Sequence, residues 1–71
     1  MKENILYPNI EAERVRHGYT AEDFAALLGV TRKTIYNWLY KGNIPAKKID
    51  DMAKLFNVNA NYLLQIKQKD N

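Results

Sequence analysis

With 71 residues and a 46% hydrophobic content, the chain has room for one domain, at a size where a single core is only marginally sufficient, and disorder of the whole chain is not expected. Cysteine is absent, which rules out disulfides and thiolate metal sites and points to a reducing, cytoplasmic setting. The net charge of +3 is modest but unevenly placed: no acid occurs between Phe24 and Ile49, a span that holds Arg32, Lys33, Lys41, Lys47 and Lys48.

Residues 1–7 read as an N-terminal arm. Only three apolar residues occur together there, too few for a signal-peptide core. The apolar runs, such as Phe24 to Leu28, are far shorter than a membrane span. A first helix is predicted to open at Pro8, a favoured first-turn residue, and to end before Gly18. A second starts at the cap Thr20, whose hydroxyl can accept from the Asp23 amide, while the Asp23 charge suits the positive helix end. It ends at Gly29, just after Leu27 and Leu28, where a left-handed backbone costs glycine little. A third helix begins at the cap Thr31 and runs to about Lys41. The fourth follows Pro45 and sets Ile49, Met52, Ala53 and Phe56 in one apolar stripe, with Asn57 as its terminator. A short fifth helix, Ala60 to Leu64, is capped by Asn59. Residues 65–71 form a polar tail expected to fray, as are residues 1–4. Period-2 alternation is nowhere sustained, so the expected fold is all-α with five helices.

Thr20 to Lys41 is the most informative stretch. Two short helices joined by a tight turn pack closely at the small Ala25, and Val30 plugs the turn. On the second of them Ile35, Trp38 and Leu39 point inward, leaving Arg32, Lys33, Tyr36, Asn37 and Tyr40 outward. That is the logic of a helix-turn-helix, whose second helix reads the DNA major groove while the first braces it. A positive field concentrated on this segment fits a phosphate-rich partner. Arg32 and Lys33 lie on its first turn and are the leading base readers, since either can donate to guanine O6 and N7. Asn37, one turn on, can pair with adenine N6 and N7, and Thr34 and Tyr36 can meet a thymine methyl or a phosphate. Trp38 is expected in the core. His17 has no partner for catalysis or metal binding, and no enzymatic constellation, metal or cofactor is expected.

The ordered set Gly18-Tyr-Thr, Phe24-Ala-Ala-Leu-Leu-Gly-Val-Thr, Thr34-Ile-Tyr-Asn-Trp, Pro45 and Val58-Asn-Ala-Asn-Tyr-Leu-Leu64 resembles the Xre/Cro-type, lambda-repressor-like helix-turn-helix family over roughly residues 8 to 64. The resemblance implies that the loop after the third helix and the start of the fourth meet the sugar-phosphate backbone. Lys41, Lys47 and Lys48 thereby become phosphate ligands, with Thr20, Thr31 and Tyr40 in the same set. Three positions depart from the family pattern. Ala21 stands where a phosphate-binding glutamine is common, and Leu39 where a glutamate commonly pairs with the arginine matched by Arg14. Arg14 is therefore expected to be free to face DNA or a protein. Gly42 falls one place late, so Tyr40, Lys41 and Gly42 are expected to lengthen the third helix or reshape the loop.

The resemblance implies a sequence-specific regulator of the minimal Cro-like type, expected to be a repressor acting by promoter occupancy on a double-stranded operator and to have a phage or prophage origin. The alternative is a protein-binding module, anti-repressor or antitoxin-like, acting through a partner regulator; Ala21 and the tyrosines Tyr36 and Tyr40 favour it. A weak or DNA-induced homodimer is expected to use the C-terminal apolar residues Tyr62, Leu63, Leu64 and Ile66.

Overall fold

Capping chemistry sets the element boundaries in the computed structural model, which describes residues 5–66. Five helices follow in order: α1 (Pro8–Arg16), α2 (Ala21–Leu28), α3 (Arg32–Lys41), α4 (Ala46–Phe56) and α5 (Ala60–Leu63). The Thr20 hydroxyl accepts from the Asp23 amide at 3.0 Å and the Asp23 carboxylate accepts from the Thr20 amide, a complete capping box. Thr31 accepts from the Thr34 amide at 3.2 Å, and Asn59 from the Asn61 amide at 2.7 Å. Prolines begin the other two, with Pro8 inside the first turn of α1 and Pro45 at the N-cap of α4.

Three helices stop by one device. After α1, α2 and α4 a left-handed residue (Gly18, Gly29, Asn57) is followed by Tyr19, Val30 or Val58, whose amide donates back to Arg14, Ala25 or Ala53. Each of those three following side chains is half-buried against the core, the hydrophobic contact that accompanies this terminus. The fifth helix closes at Leu63, one residue earlier than its sequence suggests.

Ile10, Phe24, Ile35, Met52 and Leu63 are fully buried, one from each helix, with Ala25, Leu28, Trp38, Leu39, Ile49 and Phe56 around them. Each large side chain removed from water adds about 1.5–3 kcal/mol, so this cluster fixes the five axes relative to one another. Phe24 and Phe56 stack with centroids 5.4 Å apart, and the His17 ring lies 5.1 Å from Phe56.

The described part of the N-terminal arm packs against the domain. The Leu6 amide donates to the Leu39 carbonyl at 2.7 Å, and Ile5 and Tyr7 lie against the core. Gly42 makes this seat possible. The third helix does lengthen to Lys41, and Gly42 then turns with φ +89°; a Cβ there would sit 3.2 Å from Leu6 Cδ2. Residues 1–4 and 67–71, expected to fray, lie outside the described residues.

The expectation of a free Arg14 is overturned. Glu11, one turn earlier, receives its guanidinium at 2.6 and 2.9 Å, and the Tyr19 carbonyl accepts at 2.6 Å. The Glu11 bond, more than desolvation opposes it, holds the guanidinium proton more tightly than usual. Leu39, in the place of the family's glutamate, is buried instead. On the neighbouring turn Glu13 is 4% exposed; its Oε2 accepts from the Tyr62 hydroxyl at 2.9 Å, tying α1 to α5. The Asn9 amide adds a second tie to the Tyr62 carbonyl at 2.8 Å.

Candidate nucleic-acid interface

The inner face of α3 positions its outer one. Ile35, Trp38 and Leu39 are buried, so Arg32, Lys33, Tyr36, Asn37 and Tyr40 are displayed to solvent and Thr34 is half-buried at the edge. Asn37 lies one turn beyond Lys33, and Tyr40 one turn beyond Tyr36. The buried trio fixes the pitch of this face, which allows side chains to be presented at a constant height.

Charge at the helix ends carries a further signal. The N-terminus of a helix is positive, and a cation in the first turn is unfavourable by about 0.3–1 kcal/mol. The second helix obeys this rule with Glu22 and Asp23. The third has no acid in its first turn and places Arg32 and Lys33 there; the fourth also has none and places Lys47 and Lys48 there. Two adjacent helix starts thus combine side-chain cations with the positive end of a dipole. The rule is thus broken twice on one acid-free stretch.

The expected phosphate residues fall into different circumstances. Lys41 and Lys47 are exposed, Lys47 with Asp51 at 3.8 Å on a water-facing surface. Thr20 and Thr31 are exposed but spend their hydroxyls on caps, which leaves the helix-end amides as the groups able to meet a phosphate. Lys48 differs from its neighbours. It is half-buried, and its Nζ donates to the Leu28 carbonyl at 2.6 Å, joining the start of α4 to the end of α2. Sequence spacing gave no hint of this bond across twenty residues. Nor did it suggest that Arg32 Nη1 lies 3.8 Å from Glu22 Oε2, across the turn.

The C-terminal apolar set divides as well. Leu63 is wholly buried and cannot line an interface, because the short fifth helix points it into the core. Tyr62 is half-buried and bonded to Glu13. Leu64 and Ile66 remain 40% and 52% exposed. Among the described residues no group of three metal-ligating side chains occurs, and no helix is long and apolar enough to cross a membrane.

The family described as Helix-turn-helix matches residues 10–63, from the first buried residue of α1 to the last of α5. The chain belongs to this family. Membership of the Xre/Cro-like helix-turn-helix group accounts for the all-helical architecture and assigns DNA binding of a regulatory kind to the protein. No curated protein and no solved structure matches the chain. In helix-turn-helix terms α2 is the brace and α3 the recognition helix, and the Gly29–Val30 turn holds them together.

Proposed function

We propose that the protein is a sequence-specific repressor that binds an operator through α3 and blocks a promoter by occupying it. The observation that carries this reading is the exposed face Arg32, Lys33, Tyr36 and Asn37, backed by a buried Ile35, Trp38 and Leu39 on an acid-free stretch. Arg32 and Lys33 read guanine, Asn37 reads adenine, and Thr34 and Tyr36 meet a thymine methyl or the backbone. Tyr40, Lys41, Lys47 and the first-turn amides that follow Thr20 and Thr31 hold phosphates and so fix the register of α3 in the groove. Lys48 joins them only by surrendering Leu28. A DNA partner puts the protein in the cytoplasm.

Two-fold operators are read by two recognition helices about one helical turn apart. The exposed pair Leu64 and Ile66 offers a small apolar contact, which supports a weak dimer that closes on DNA. A protein-binding role, with a partner regulator docked on α3, is favoured by one observation: Tyr36 and Tyr40 are both exposed, one turn apart, and Ala21 supplies no phosphate ligand. Titration against random duplex at about 50 and 200 mM salt separates the two, because each neutralised phosphate adds about −0.9 to the logarithmic salt slope. A slope near that of three or more contacts supports DNA. Weak binding with a flat slope supports the protein partner.

A further inference from the structure

We propose that Glu22 is a positioning residue that sets the sequence specificity of Arg32, holding its guanidinium toward base edges and away from phosphates. The proposal rests on the DNA-binding reading above. Arg32 Nη1 lies 3.8 Å from Glu22 Oε2, and their side chains are 59% and 76% exposed. An ion pair this exposed adds little to folding. Nor does Glu22 serve the cap of its own helix, since Asp23 and Thr20 complete that box between them. Its carboxylate complements the positive end of α2 but takes no part in the cap, and it stands at the border of a stretch free of acids from Phe24 to Ile49.

A carboxylate in that place repels a polyanion and lowers affinity for any duplex. The same repulsion acts selectively on Arg32. A phosphate approaching the guanidinium meets the Glu22 charge, whereas the uncharged guanine edge does not. Arginine has five donors in a planar fork, and bidentate reading of guanine O6 and N7 uses two of them, which leaves another edge for the carboxylate. Because Glu22 belongs to α2 and Arg32 to α3, the pair also references the reader to the bracing helix rather than to its own flexible stem. Excluding water from the groove strengthens the pair at the moment of docking. Arg32 thus becomes a base reader at the expense of general affinity.

The experiment compares the affinity of the wild type and Glu22→Gln for a duplex selected by the wild type and for a scrambled one, alone and combined with Arg32→Ala. Glutamine keeps the shape and removes the charge. The expected result is about threefold or more tighter binding of Glu22→Gln to scrambled duplex, a smaller gain on the selected one because the lost positioning of Arg32 offsets the relieved repulsion, and a fall in the ratio. In the Arg32→Ala background the same change leaves the ratio unaltered. A melting curve matching the wild type shows that folding is not the cause. An equal gain on both duplexes, or a ratio effect that persists without Arg32, overturns the proposal while leaving DNA recognition standing. A wild type that prefers no sequence overturns both together.

Discussion

Lys47 and Lys48 set a proposed phosphate ligand beside a lysine with a structural bond. The Lys48 Nζ donates to the Leu28 carbonyl at 2.6 Å. That carbonyl lies at the end of α2, beyond the reach of the Gly29 and Val30 amides, which are directed to Ala26 and Ala25. Lys48→Met keeps the aliphatic stem and removes the donor. A hydrogen bond to a charged group contributes about 1.5–3 kcal/mol, but water can reach this half-buried site and replace part of it. Complementing the negative helix end adds a few tenths of a kcal/mol more. The expected loss is about 1–2 kcal/mol, and at about 4–8 °C per kcal/mol for so small a domain the melt falls by roughly 5–15 °C. Lys47→Met is the paired control, since Lys47 is exposed and bonded only loosely to Asp51. It should leave the melt within about 0.5 kcal/mol and lower the salt slope of DNA binding by about one. Circular-dichroism melts and salt-dependent titrations read both quantities. If Lys48→Met melts like the wild type and loses the same salt slope as Lys47→Met, the bond to Leu28 does not hold in solution and Lys48 is a phosphate ligand.

Three further outcomes are expected. Trp38→Ala removes a large buried aromatic at a cost of about 3–5 kcal/mol, most of the stability of a domain this small, so a cooperative melt near the wild-type temperature would refute its core role. Tyr62 is held above its ordinary pKa of 10.0, chiefly because it donates to Glu13. With the folded value raised, its contribution is complete below pH 10 and is lost as pH climbs through the folded value, so Tyr62→Phe should flatten the alkaline fall in melting temperature expected of the wild type. Sedimentation at micromolar concentration should find mostly monomer, pairing on a palindromic duplex; a tight free dimer indifferent to Leu64→Ser and Ile66→Ser contradicts the proposed patch.

Local chemistry was legible in the sequence, and distant contacts were not. Thr20, Thr31 and Asn59 announced the starts of three helices, and Gly29 and Asn57 the ends of two, because each acts within three or four residues of itself. The inward trio on α3 followed from periodicity for the same reason. Arg14 was misread because the family pattern directs attention to position 39, whereas the carboxylate that satisfies it lies three residues back at Glu11. The ties between Tyr62 and Glu13, 49 residues apart, and between Lys48 and Leu28, 20 apart, depend on how the helices pack. So does the seating of Leu6 over Gly42, which no spacing rule encodes. Leu63 and Leu64 look alike in sequence, but a step of one residue, roughly 100° about the axis at the end of α5, sends one to the core and the other to solvent.

Selection of bound duplexes from a random pool tests sequence-specific recognition by α3 most directly, with the wild type and Arg32→Ala selected in parallel. The account predicts an enriched site with two-fold character for the wild type. Arg32→Ala should relax preference at a guanine in each half-site and weaken binding to it by about 1–3 kcal/mol. A pool that emerges from the wild-type selection without any enriched sequence would contradict it.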